Sequence, residues 1–378
     1  MIRLLSIASV LFSLLWVMAE SASAKDSILV EALIKSPSSV VSEKVQENYP
    51  FYGVASYYNN VDYYVVADNE PRKINEGEPI ELKQAQWLTV VGRFNVLLIK
   101  AMGLSLRLEG STLIFENPEI LNHSESVARL VTKPELPSIT PELDQIRYNH
   151  LWSALAGLAE LVETSLVGIQ VHLVSDWGLA IVVFSVLLKI LLLPLGLMTV
   201  RFQRRVSQIQ TLLEPQLASI KANYDGEEAH NRLMAAHKDA GVSPFFTLKP
   251  VLGSLIQVPI LVAVFNALGE MPQLNAHSFL WIESLAYPDS LGHLSFGVPM
   301  FGDKISLLPF IMTVVTLYST IIYKNRHSTE LALKHQKRNL YLMAAGFFIL
   351  FYPFPSAMVL YWALANILQT IQQQIIKV

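Results

Sequence analysis

The sequence predicts an α-helical polytopic membrane protein with a five-span core, a cytoplasmic helical hairpin and a small β-rich periplasmic domain. Three observations predict it. The chain of 378 residues is 52% hydrophobic and only 16% charged, against roughly 25% charged in ordinary soluble proteins, and its mean hydropathy is +0.39. The long apolar stretches crowd into the second half. The loops between them differ sharply in basic residues. A net charge of −3 gives no bulk basic character for a sequence-specific nucleic-acid partner. The chain has no cysteine, which excludes disulfides, thiolate chemistry, cysteine zinc sites and a lipidated N-terminal cysteine.

Residues 1–24 read as a signal peptide. Arg3 supplies the positive start, Leu4–Met18 the apolar run, and Ala22–Ala24 a small-x-small cleavage site. Residues 25–141 have the composition of a soluble periplasmic domain. "YYVVA" and "WLTVVGRFNVLLI" are rich in β-branched and aromatic residues, and "ADNEPRKINEGEP" and "LEGS" supply turns between strands. "KPELPSITPE" (Lys133–Glu142) holds three prolines and reads as a linker. Residues 142–176 then complete the linker and carry an amphipathic helix within His150–Val174, with Glu160 and Glu163 on one edge.

The five-span core is expected over 177–378, with spans at 177–200, 250–268, 305–323, 340–354 and 357–371. The first three have 19 or more residues, enough to cross a hydrocarbon core of ~30 Å at ~1.5 Å per residue. The last two are shorter and meet at "PFPS", which predicts local thinning of the bilayer. Arg201–Lys249 carries seven basic residues and Lys324–Arg338 five, while Gly269–Lys304 carries only Lys304. Basic loops stay in the cytoplasm, so Gly269–Lys304 is periplasmic and the C-terminus cytoplasmic. A sixth span at His150–Val174 would put every loop on the wrong side, so that helix is expected to lie on the outer surface. The cytoplasmic segment 201–249 reads as a helical hairpin. Val206, Ile209, Leu213, Leu217 and Ile220 share one face, Asp225 is an N-cap and Gly241 a C-cap.

Lys189 is the only formal charge among the 24 residues of Trp177–Val200. A lysine near the middle of a bilayer costs about 2.5–3.5 kcal/mol on insertion scales. Ser185 lies four residues before it, on the same helix face. Other spans contribute Gln257, Asn266, Thr313, Thr316, Ser319, Asn366 and Gln369, with Tyr318, Tyr361 and Trp362 as aromatic bodies with polar tips. No acid in these spans offers Lys189 a partner. Three readings follow. Lys189 snorkels to an interface; or Ser185 and Lys189 form a catalytic dyad; or Lys189 faces a hydrated groove that receives something polar or anionic. The dyad lacks a second constellation for an oxyanion hole. A P-loop and an HExxH motif are also missing, so the reading is of a protein that is not an enzyme.

From about Trp152 to Lys377 the chain resembles the YidC family of membrane protein insertases, which has mitochondrial and chloroplast relatives. The resemblance rests on "FSVLLKILLLPL", "LLEPQLASIKANY", "LIQVPILVAVFNAL" and, most specifically, "FPSAMVLYWALANILQTIQQQII". It implies a function: inserting newly made inner-membrane proteins and helping them fold, alone or beside the Sec translocon, with no nucleotide, metal or other cofactor. It also implies a groove closed on the outside and open to the cytoplasm and to lipid. By motif position Lys189 is its basic residue, with Ser185 on its face and Gln257 opposite. Tyr361, Trp362 and Asn366 then line the path of the nascent client. An assembly factor dedicated to one membrane complex is the alternative.

Three departures from the family pattern qualify that expectation. The usual groove arginine is here Lys189, which keeps the charge and loses bidentate geometry. The outer domain is far shorter than the large β domain of many Gram-negative members, so contacts with Sec that depend on it are in question. The sequence stops at Lys377–Val378, without the long basic tail that docks ribosomes in some relatives. Ribosome contact is therefore expected from the cytoplasmic loops.

Overall fold

A computed structural model describes residues 27–67, 70–243, 257–299, 301–322 and 330–375, together with Phe245 and Leu255. The signal peptide expected at 1–24, the start of the span expected at 250–268 and several basic residues of the loops lie outside the described residues. The chain divides into two compact units, Met1–Leu151 and Trp152–Val378.

The first unit is built on a five-stranded antiparallel sheet. Helix α1 (27–35) leads into α2 (Pro37–Val40) and a π-helical turn, Val41–Val45. Strands β1 (Asp62–Ala67), β2 (Glu70–Lys73), β4 (Trp87–Val91), β5 (Asn95–Lys100) and β8 (Val127–Thr132) pair in the order β2-β1-β4-β5-β8. Strands β3 (Ile80–Glu81), β6 (Ser105–Glu109) and β7 (Thr112–Phe115) form a second sheet. The central strands read as unbroken apolar runs because both faces of the large sheet are covered. Side chains alternate along a strand. Tyr63, Val65, Leu88, Val90, Leu97 and Ile99 therefore face one core, with Leu33, Val40 and Leu106. Tyr64, Val66, Trp87, Val91, Val96 and Leu98 face another.

That second core corrects the linker reading of Lys133–Glu142. The segment forms short helical turns, including α3 (Leu136–Ile139), and Leu136, Leu143 and Ile146 are buried on the sheet. Its prolines stand in the first turn of each piece, where their missing N–H costs nothing. They mark helix starts, and the compact unit runs on to Leu151.

The second unit is helical. It contains α4 (Ser153–His172), α5 (Trp177–Leu191), α6 (Leu193–Asn223), α7 (Gly226–Asp239), α8 (Val258–Glu270), α9 (Leu308–Ile322), α10 (Glu330–Phe351) and α11 (Ser356–Ile375). The expected first span, 177–200, is two helices bent by 55° at Leu192. Pro194 is the cause: without an N–H it cannot bond back to Ile190. Beyond the bend α6 continues unbroken into the hairpin. Val206 and Leu213 are buried against Ile209, Leu217 and Val242. The end of α7 is a Schellman closure, with Val242 N–H donating to His237 O at 3.0 Å and Gly241 N–H to Lys238 O at 2.9 Å. Gly241 takes the left-handed φ of +67° that this closure requires.

Helix α4 buries Ala159, Val162, Leu166 and Ile169 at helical spacing and packs on α8 and α5. It is the described helix that alone has the length and apolarity to cross a membrane, and the bent pair 177–199 has them if taken as one span. Val258–Glu270, Leu308–Ser319 and Arg338–Phe351 are shorter apolar helices. The two final apolar stretches sit in helices of 22 and 20 residues, longer than the runs read from hydropathy, because polar residues continue each helix past its apolar part.

Candidate functional site

Helix α11 organises the site. It packs on α5, α8 and α9, so the side chains around it come from four helices. Its start is clamped from the segment between α8 and α9. Ser356 donates through both N–H and Oγ to Tyr287 O, at 2.9 and 2.7 Å, and Ala357 N–H donates to Leu285 O. The same segment fixes α9. Buried Asp289 accepts from Leu307 N–H at 2.8 Å, Leu308 N–H at 2.9 Å and Trp281 Nε1 at 3.0 Å. A carboxylate at a helix N-terminus meets unpaired N–H groups and the positive end of the dipole. Tyr352, just past the end of α10, donates to Lys304 O at 2.8 Å. The three helices are thus tied together at this end, beside the hairpin of β9 (His293–Val298) and β10 (Gly302–Lys304).

Lys189 projects from α5 toward α11. Its Nζ donates to Oε1 of Gln369 at 2.5 Å, across 180 residues of sequence. Along α11, Trp362, Asn366 and Gln369 fall at i, i+4 and i+7, one face of the helix. Beside them Ser319 of α9 and Thr370 of α11 share a hydroxyl–hydroxyl bond. Gln372 is buried against Gly196, where a Cβ would come within 2.9 Å of Nε2. Neither amide atom of Gln372 has a partner among the described residues, and neither has Trp362 Nε1. Trp362 also belongs to an aromatic cluster, with ring centroids 5.9 Å from Phe265, 5.3 Å from Phe347 and 5.3 Å from Phe351. Tyr361 is buried at the edge of this cluster, 6.2 Å from Phe265.

The residues read from the sequence are therefore brought together in part. Lys189, Asn366 and Trp362 flank one face of α11, and Tyr361 lies in the aromatic layer behind it. Ser185 is buried, and its Oγ donates to Ile181 O at 2.7 Å on its own helix. The Ser185–Lys189 contact that a dyad needs is not made. Gln257 is half-buried just before α8, and among the described residues no hydrogen bond joins it to Lys189. Gln369 was visible among the polar residues of the spans, but nothing in composition singled it out. The usable signal was its spacing, three residues after Asn366 and seven after Trp362. Among the described residues no group of three or more metal-ligating side chains gathers.

A family model described as 60Kd inner membrane protein matches residues 169–378. The chain belongs to the YidC family. Curated relatives named "Membrane protein insertase YidC" include those of Chlorobaculum tepidum, 31% identical over 200 residues, and Chlorobium luteolum, 31% identical over 202 residues. A third, from Chlorobaculum parvum, is 30% identical over 206 residues. The matches cover 53%, 53% and 54% of this chain and 32%, 33% and 33% of the respective relatives. The similarity thus spans about a third of the length of those YidC proteins, and the residues matched by the family model lie within the helical unit that carries Lys189, Gln369 and the clamped helix ends.

Proposed function

We propose that this protein inserts newly made proteins into the bacterial inner membrane and helps them fold, by facilitated partitioning without covalent chemistry. The observation that carries the reading is the placement of Lys189: an ammonium inside the helical unit, answered by a neutral amide and not by an acid. Such a group attracts a polar or acidic leading segment. The client's apolar helix then moves into lipid, which supplies the driving force. The membrane potential adds about 2.3 kcal/mol per 100 mV for each acidic charge moved outward.

Five spans, with α4 on the outer surface, the N-terminal unit in the periplasm and the C-terminus in the cytoplasm, fit the twelve-to-one distribution of basic residues between loops. The clamp formed by Asp289, Tyr287 and Tyr352 supports a groove closed on the outside. Lys189, Asn366, Trp362, Tyr361, Ser185 and Gln257 are its proposed lining. Nascent clients are the proposed partners, with the Sec translocon and the ribosome as further ones.

The test is insertion of a client with an acidic leading tail. Lys189→Arg should keep insertion close to the parent rate. Lys189→Glu should lower it at least about ten-fold, since like charges across such a contact cost several kcal/mol. Equal activity of the two variants at equal expression would remove the electrostatic role of Lys189. Depletion followed by a census of the membrane proteome distinguishes general insertion, which loses many small proteins, from assembly of one dedicated complex.

A further inference from the structure

The bond between Lys189 and Gln369 is an unequal one. The ammonium brings a full charge and the amide oxygen only a dipole. The ammonium already makes this a charge-assisted bond; a carboxylate adds the attraction of a second full charge, which grows where water is scarce. Gln369 therefore answers the lysine adequately at rest and yields to a carboxylate. The groups around it are arranged for such an exchange. Two turns before Gln369 the Trp362 Nε1 lacks an acceptor among the described residues, and one turn after it so does the amide of Gln372. Gln372 is only 6% exposed. Polar groups buried without partners are costly, and here they bracket along α11 the side chain that holds the lysine.

We infer that Gln369 sets the client specificity of the groove. It is the resting partner of Lys189 and is displaced when a client presents a carboxylate. A client segment without an acid does not displace it and enters without engaging the lysine. The inference rests on the insertase reading and adds to it a residue that discriminates between clients.

The competing explanation is that the bond merely staples α5 to α11. Two clients separate the two. They share one apolar helix and differ only in the leading tail, which carries two aspartates in one and two asparagines in the other. The full chain is reconstituted in vesicles, and the protease-protected fraction of each client is followed with time. Gln369→Glu keeps a bridge to Lys189 but fills the site with a permanent carboxylate. It should lower the acidic-to-neutral rate ratio about ten-fold, the factor that corresponds to roughly 1.4 kcal/mol. Gln369→Leu removes the competitor and should raise that ratio. If the leucine variant fails to accumulate, Gln369→Asn serves, because its shorter side chain loosens the contact and should shift the ratio the same way.

A ratio unchanged or lowered by Gln369→Leu would overturn the inference, since a mere staple does not compete with the client's carboxylate; a ratio unchanged or raised by Gln369→Glu would overturn it as well. Taking the ratio within one protein cancels differences in folding and yield. If the parent chain inserts neither client, the insertase reading itself falls, and that shows in the parent before any variant is compared.

Discussion

Each unit of the molecule holds a cation against its own side chains, and the two are treated differently. In the N-terminal unit Arg93 sits in the β4–β5 turn with its side chain 1% exposed, paired at 3.2 Å to Glu47, itself 3% exposed. Three rings enclose the guanidinium, with centroids 4.8 Å away at Phe51, 4.3 Å at Tyr58 and 4.4 Å at Phe94. In the helical unit the half-buried Lys189 donates, among the described residues, to one neutral amide. The first cation is answered on every side and has become part of the core. The second is answered just enough to be held. A charge that can change partners must be left short of its best one.

The largest expected effect tests the first half of that contrast. Glu47→Ala should destabilise the N-terminal unit by about 3–5 kcal/mol, because it strands a buried charge. Hydrogen exchange of β4 and β5 in the full chain reads the loss. Replacing both partners, Glu47→Leu with Arg93→Met, should recover much of it. A single substitution that leaves exchange unchanged would show that the pair is not structural.

A smaller effect sharpens the other half. Gln372→Leu removes a buried amide without partners and should stabilise the helical unit by about 1–2 kcal/mol, read as a higher melting midpoint in detergent. The same variant should insert clients more slowly, in line with the usual opposition of stability and function. A lower midpoint would mean that the amide is satisfied in the folded protein.

The smallest effect lies on the β9–β10 hairpin. His293 Nδ1 and Asp303 Oδ2 are 3.0 Å apart, and the imidazole holds the Asp303 carboxyl below the usual range for an aspartate. A depressed folded value means that the contribution is present above the ordinary carboxylate range and lost as pH falls through that lower value. Both groups are exposed, so the gain is slight. Protection of the hairpin amides, corrected for their intrinsic exchange rates, should fall in acid, and His293→Ala should lower it at neutral pH and flatten that dependence.

Much of this was legible in the sequence where local rules decide. The β-branched and aromatic residues of "WLTVVGRFNVLLI" announce strands. The apolar spacing from Val206 to Ile220, closed by Gly241, gives the hairpin. Lys189 stands out because one charge in an apolar run cannot be accidental. What sequence did not yield is what depends on a distant partner. Pro134, Pro137 and Pro141 resemble a linker until Leu136 and Leu143 are seen on the sheet. Asp289 is one acid among several until three donors converge on it. Gln369 gains its meaning only from a lysine 180 residues away. Ser185 shows the opposite failure: correct spacing on a helix does not stop a hydroxyl from bonding to the carbonyl one turn back.

The bend at Leu192 has a mechanical consequence. The 31 residues of α6 beyond it stay helical past the internal Pro215, a length of about 46 Å at 1.5 Å per residue. Its near end starts four residues from Lys189, and its far end meets whatever approaches the hairpin. One degree of rotation about Leu192 moves that far end by about 0.8 Å over this length. Read in reverse, a displacement of several ångströms at the tip reaches the lysine as a turn of only a few degrees. The geometry is that of a long handle on a short jaw, with Pro194 as its pivot.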